Sequence, residues 1–220
     1  MDFTFDGAAI VAGHLSLPAC GAGTADLFFA EPDTAPEVGT RGALAALGTS
    51  RVMTVAESGE EGGYARVRLV AGAGKLDAEL EPRQYQGCLP SFVATDCLTD
   101  AGEEVGQGWS LLDDRRLQWW NRPRASLREC LRRLARLRDD LRWRIAPDGS
   151  VELVSETWPD MTAHVDRDLF AQPQERLVSF WPADGSVSPG HAVTVFGVSR
   201  QLLRVEYQWD GADCTCRAWY

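Results

Sequence analysis

Few residues in this sequence have the type and spacing to do chemistry. Its three histidines, His14, His164 and His191, lie far apart, and none belongs to an H-E-x-x-H or H-x-E pattern that would hold a metal or activate water. Cys214 and Cys216 are two apart, which on a strand sends both thiols to one face, but no second pair stands at a zinc-site spacing. Gly72-Ala-Gly74-Lys75 looks like a fragment of a phosphate-binding loop, yet it lacks the full spacing and the Ser or Thr that follows the lysine. No G-x-S-x-G elbow or S-x-x-K pair supplies a nucleophile. The carboxylate pairs Asp113-Asp114 and Asp139-Asp140 abut arginines and read as local ion-pairing groups, not as the acid and base of glycoside cleavage. No enzyme activity, cofactor or resident metal is expected.

Aromatic and arginine side chains carry more of the signal. Trp119 and Trp120 are adjacent, so on a strand they point to opposite faces and at least one is exposed or at an interface. Trp143, Trp181 and Trp209 read as core. Of the 22 basic residues 21 are Arg and one, Lys75, is Lys. Between residues 115 and 144 there are 11 Arg against Glu129, Asp139 and Asp140, a local net of +8 in a chain of net charge −10. Candidate interface residues are therefore Trp119, Trp120, Arg122, Arg128, Arg132, Arg133 and Arg136. An arginine face of this kind suits a solvated helix or an acidic neighbour, and it also suits nucleic acid.

The elements that must position these side chains are legible. Ser126 with Glu129 three residues on forms a capping box and starts a helix. Leu127, Cys130, Leu131, Leu134, Leu137 and Leu141 form its apolar stripe. The period then changes to two: Trp143 and Ile145, a Pro147-Asp148-Gly149 turn, then Val151 and Leu153 make a hairpin. Upstream, Phe92, Val93, Cys97 and Leu98 fit a short helix stopped by Gly102.

Residues 1–80 read as β. Short runs at 8–11, 15–17, 25–29, 51–55 and 64–70 are separated by Gly, Pro, Asp and Ser clusters, and the 57–63 cluster is expected to turn 51–56 back onto 64–70 as a hairpin. Residues 44–47 are too short and Gly-flanked to assign. The last third is again β, with strands at 177–181, 191–198 and 202–209; the Asp210-Gly-Ala-Asp213 turn leads to Cys214, Cys216, Ala218 and Tyr220 on one face. The expected class is α+β, mainly β. The β, α-rich, β order suggests a single β-barrel-like domain, 1–80 with 161–220, split by an inserted helix-and-hairpin module at 81–160. At 220 residues the chain can bury roughly 70% of its unfolded surface without disulfides. Its scattered cysteines and acidic start, MDFTFDG, fit reduced thiols and cytoplasmic synthesis, and no window approaches the ~20 apolar residues of a membrane span.

Several stretches together resemble the baseplate hub proteins of tailed phages, a group that includes late-control proteins and the N-terminal part of type VI secretion spike proteins. They are Gly72-Ala-Gly-Lys-Leu76 followed by Tyr85 and the helix ending at Ala101-Gly102; Trp120-Asn-Arg-Pro, the leucine-striped helix and Trp143-Arg-Ile-Ala-Pro-Asp-Gly149-Ser-Val; and Val187-Ser-Pro-Gly190 followed by Leu203-Arg-Val-Glu-Tyr207. The resemblance implies a virion structural protein of the tail tip, connecting tail tube to distal fibre or spike. Its partners would be further copies of itself in a ring, a distal tail or tail-tube protein, and tape-measure protein or DNA in the lumen. Hubs of this kind carry two tube-like domains per chain and assemble as trimers. This chain has residues for one, which implies either a second hub polypeptide or a hexamer. The rival expectation is a nucleic-acid-binding protein using the Arg-rich helix at 126–144. A tail-tip peptidoglycan hydrolase lacks residues to carry it.

Overall fold

The computed structural model describes residues 3–31, 35–155, 170–180, 187–195, 197–211 and 213–220. His164 and Trp181 lie outside them.

Seven strands open the chain: β1 (Thr4–Phe5), β2 (Ala8–Ala9), β3 (Ala12–Pro18), β4 (Thr24–Phe29), β5 (Arg41–Ala46), β6 (Thr49–Glu61) and β7 (Tyr64–Ala71). The middle supplies β8 (Glu79–Leu80), β9 (Arg83–Cys88), α1 (Pro90–Ala101), β10 (Leu117–Arg122), β11 (Ala125–Ser126), α2 (Leu127–Ala135), β12 (Leu141–Ile145) and β13 (Val151–Ser155). The end supplies β14 (Phe170–Gln172), β15 (Leu177–Phe180), β16 (Ala192–Val195), β17 (Val198–Gln201), β18 (Arg204–Asp210) and β19 (Asp213–Trp219). The chain is α+β and mainly β, the class expected from its patterning.

Contacts divide it into two units, Met1–Ala71 with Thr157–Tyr220, and Gly72–Glu156. Residues 72–80, which the sequence reading put with the β domain, bond within the second unit. Leu80 pairs with Ala125 across β8 and β11, and the carbonyls of Leu76 and Ala78 accept from Arg128 and Leu127 N–H at the start of α2.

In the first unit a period-two alternation sorts one face inward. Leu15 and Leu17 of β3, Ala25, Leu27 and Phe29 of β4, Val205, Tyr207 and Trp209 of β18, and Cys214, Cys216 and Ala218 of β19 are all buried. These strands belong to one eleven-stranded sheet in the order β14-β15-β19-β18-β3-β4-β7-β6-β5-β1-β2. Among the described residues the sheet is open, ending at β14 and β2, and does not close on itself. Its central pairing, Ala12 with Asp210 through Pro18 with Arg204, joins the first and last thirds of the chain, so the middle unit interrupts a sheet that spans both. Gly13 is required there. It faces Trp209 in register, and a Cβ would overlap the indole ring, which stacks on Phe3 at 4.6 Å.

The β6–β7 hairpin is present, but its turn is shorter than expected. Glu57 to Glu61 continue β6, and the turn is Gly62-Gly63 alone, both at positive φ as a two-residue type I′ connection demands. A bulge between Val55 and Glu57 shifts the register, and the whole 56–61 stretch is exposed. Of the unassigned 44–47 run, residues 44–46 belong to β5 and Leu47 turns at φ +54°, and the strand expected at 191–198 is instead a hairpin of β16 and β17 turning at Gly197, whose φ is +78°.

In the second unit α2 starts as expected, with Ser126 Oγ accepting from Glu129 N–H at 3.3 Å. The reciprocal half of the capping box is not made, because the Glu129 carboxylate pairs forward with Arg132. The helix also ends sooner than the leucine stripe implied. Leu137 and Arg138 N–H bond back three residues, to Leu134 and Ala135, which closes the helix as a tight turn and delivers Leu141 to β12. α1 ends at Gly102 in the left-handed conformation, as the sequence implied.

Candidate interface and the buried arginine of the second unit

β9 and β10 pair so that opposed residues share a face: Tyr85 with Trp120 and Arg83 with Arg122 on one side, Gln86 with Trp119 and Gln84 with Asn121 on the other. This splits the two tryptophans as strand geometry requires. Trp119 is 64% exposed. Trp120 is half-buried, edge-on to Tyr85 at 5.6 Å, with the Arg133 guanidinium 5.5 Å from its ring centre.

Arg122 does not belong with the surface candidates. It is 2% exposed, with Nη2 donating to Asp100 at 2.7 Å, Nε to the Glu81 carbonyl at 2.9 Å and Nη1 to Cys97 Sγ at 3.6 Å. Asp96 stands 3.6 Å away and is shared with Arg83 and with the Tyr85 hydroxyl, the latter at 2.5 Å. The cause is local: Asp96 and Asp100 are four apart on α1 and present two carboxylates along one side of the helix. A buried guanidinium needs this degree of pairing, since an unpaired one would bear the full cost of leaving water. The sequence signal was the Asp96-x-x-x-Asp100 spacing, overlooked beside the apolar Cys97 and Leu98.

Cys97 lies in the same cluster. The hydrogen bond from the Cys130 thiol lowers the Cys97 pKa to about 7, with the Arg122 guanidinium adding to it, against the opposing effect of burial. Cys130 is raised by the same contact.

The remaining arginines are largely committed within the unit. Arg128 makes two bonds to Asp77 at 2.9 and 3.1 Å, Arg124 reaches Glu81 at 2.8 Å, Arg138 holds Asp140 at 2.6 Å and Arg144 holds Glu152 at 2.7 Å. Arg132 pairs with Glu129, while Arg136 is exposed. Residues 72–156 hold 13 basic and 15 acidic side chains, net −2, so the β unit carries −8 of the total −10. The strongly basic stretch of sequence is thus paired partly with acids from residues 77–100, through Arg122, Arg124 and Arg128, and partly with its own neighbours Glu129, Asp140 and Glu152. This leaves little free cationic surface for a phosphate backbone, which weakens the nucleic-acid reading. Asp113, expected to pair with arginine, instead accepts from Ser91 N–H and Oγ at 3.0 and 2.6 Å and caps α1, whose own N-cap residue Leu89 has no side chain to do so.

The loop that looked like a phosphate cradle does bind an anion, and the anion is internal. The Glu103 carboxylate, 5% exposed, accepts from Ala73 N–H at 3.0 Å and Lys75 N–H at 2.6 Å. Gly72 and Gly74 sit at positive φ and turn those amides inward as a nest. In the β unit, His14 Nε2 lies 3.3 Å from Glu206, and Cys214 and Cys216 are buried on one face as expected. Among the described residues no group of His, Cys, Asp or Glu could hold a metal, and no helix is long and apolar enough to cross a membrane.

No protein-family model matches the chain, and no curated protein matches it in sequence. Solved structures do. The chain is similar to the 43 kDa tail protein of prophage MuSo2 from Shewanella oneidensis, with a TM-score of 0.67 at 9% identity, covering 99% of this chain and 96% of that one. The fold is that of a phage tail protein. The same fold is found in a tail protein from Neisseria meningitidis MC58, at TM-score 0.57 and 11% identity over 95% of this chain and 91% of that one. It also matches an E. coli component of the type VI secretion system, described as structurally similar to the T4 bacteriophage tail proteins gp27 and gp5. There the TM-score is 0.64 at 11% identity, over 100% of this chain and 74% of that chain.

Proposed function

We propose that this chain is a structural protein of a phage or phage-derived tail, a baseplate hub component whose copies form a ring joining the tail tube to distal fibre or spike proteins. The observation that carries the reading is the phage-tail fold recovered over nearly the whole chain in the MuSo2 protein. The E. coli type VI secretion component, described as structurally similar to the T4 tail proteins gp27 and gp5, supports a place in a phage-derived tail machine.

In this reading the β unit is the tube-like domain, with Gly72–Glu156 as the inserted module, and its site is the virion tail tip. A β unit of net charge −8 suits a lumen through which DNA or tape-measure protein must pass without adhering. Exposed Trp119, with Trp120, Arg128, Arg132, Arg133 and Arg136 close by in sequence, is the contact surface toward a neighbouring copy or a second hub polypeptide. The chain is a part of the assembly and performs no catalysis.

The test is co-expression of the chain with the tail proteins encoded beside it, followed by size-exclusion chromatography with light scattering. A ring of three or six copies, alone or with a second hub chain, is expected. A stable monomer that none of those proteins captures overturns the reading.

A further inference from the structure

We propose that the open margin of β6 at 57–61 receives an extended segment of another protein as an added strand, one that carries two Lys or Arg residues three apart to meet Glu57 and Glu60. The inference rests on the β6–β7 hairpin and stands apart from any role in a tail.

The outer margin of β6 is covered only as far as its bulge. β5 pairs with Thr49 to Thr54, and Val55 ends that ladder by donating to the Thr40 carbonyl and accepting from Gly39 N–H, each at 2.9 Å. The covering chain enters there through a turn in which Thr40 N–H bonds to the Glu37 carbonyl. β6 runs on to Glu61, and among the described residues β7 alone pairs with this part of it. Alternate residues of the stretch turn their N–H and C=O groups away from β7, which is the ladder an incoming strand uses. Its length of about 17 Å is that of an ordinary strand. A groove of about 220 Å³ lies along it, lined by residues 57–61 with Arg66 and Arg68.

Charge decides what kind of strand fits. Arg66 holds Glu61 at 3.0 Å and Asp26 at 3.2 Å, and Arg68 lies 4.0 Å from Asp26. Glu57 and Glu60 are exposed and form no ion pair among the described residues. Glu57 stands opposite Arg68 and Glu60 opposite Ala65, which is buried on the inward face, so the two carboxylates point to opposite faces of the strand. On an added strand the residues beside them are likewise three apart, whichever way that strand runs. An anionic polymer is repelled here. No strand of this chain among the described residues carries two basic residues three apart, so a second copy is a poor match and the partner is a different polypeptide.

The test uses the full chain and a fluorescein-labelled peptide of about ten residues, rich in Thr and Val, with two lysines three apart. Fluorescence anisotropy at low salt should show saturable binding, and hydrogen exchange should slow at 57–61 in the bound protein. Shifting one lysine by one position should weaken binding about threefold or more, and replacing both by Glu, or Glu57→Gln with Glu60→Gln in the protein, about tenfold or more. Glu57→Lys with Glu60→Lys should transfer binding to the peptide that carries Glu. Two further peptides separate strand addition from charge alone, one N-methylated at its odd amides and one at its even amides. An added strand turns half its amides to β6, so one of the two should bind like the parent and the other should not. Should a double variant not fold, exchange on the parent chain with these peptides decides. Equal binding of both N-methylated peptides or of all lysine spacings, binding unchanged in the Gln variant, protection elsewhere in the chain, a homodimer that protects 57–61 without peptide, or no binding at all would each overturn the proposal.

Discussion

Arg122 and Asp100 meet at 2.7 Å in the interior of the second unit, where Arg122 is the one arginine among the described residues that the fold buries. Because Asp96, Glu81 and Cys97 share that guanidinium, it ties β10 to α1. Replacing it by Met should cost about 1–3 kcal/mol, since the buried hydrogen bonds to Asp100 and the Glu81 carbonyl are lost while Arg83 still faces both carboxylates of α1. Urea unfolding followed by tryptophan fluorescence measures this, with Arg136→Ala as the exposed comparison, expected within about 0.5 kcal/mol of the parent.

Gly13 admits no side chain beneath Trp209. Gly13→Val should lower stability by about 1–3 kcal/mol or more, through overpacking of a strand in the middle of the sheet. A melting temperature unchanged from the parent would show that the Phe3–Trp209 stack can move aside.

Cys97 makes stability depend on pH. Its folded pKa, about 7, is below its ordinary value of 9.0, so it contributes stability in full above that ordinary value and loses it as pH falls through about 7. Cys130 is raised and acts oppositely, so its effect appears as pH rises beyond the ordinary thiol range. Stability should therefore climb between about pH 7 and 9, and Cys97→Ser should flatten that climb in denaturant titrations at fixed ionic strength.

Asp113 caps α1 from outside the helix. Asp113→Ala should cost about 1 kcal/mol, while Asp113→Asn should retain a good part of it through its remaining acceptor oxygen. Guanidinium midpoints at constant slope would resolve the two.

Trp119, 64% exposed, has little burial to lose. Trp119→Ser should leave the melting temperature within the error of the parent while weakening capture of neighbouring copies or tail partners by tenfold or more. Equal loss of both would assign the residue to folding.

The sequence reading recovered what local physics determines and missed what distance decides. Leu15, Leu17, Val205 and Tyr207 alternate, and they are strands. Ser126 and Gly102 bound helices as their chemistry dictates. Leu141 was assigned to α2 because its spacing continues the stripe, whereas the i→i−3 turn at Leu137 and Arg138 is a tertiary choice. The second unit's electrostatics were the larger miss. Eleven arginines in one stretch looked like a charged surface because Asp77, Asp96 and Asp100, which take up Arg128 and Arg122, lie 22 to 51 residues away in the chain and meet them only on folding. Glu103 was invisible as the ligand of the Gly72–Lys75 loop for the same reason. Trp119 was the exception, since adjacency on a strand suffices to separate it from Trp120.

The extended β6 carries one more consequence. From Glu57 to Glu61 its outer margin has no partner strand among the described residues, and such a row of open amides and carbonyls invites another chain to add itself and then another. Glu57 and Glu60 sit along that stretch, with Glu61 paired to Arg66 beside them, so two copies approaching strand to strand bring like charges together. The acids therefore act as a guard against fibre growth, and the bulge at Val55 twists the exposed margin out of line with any straight template.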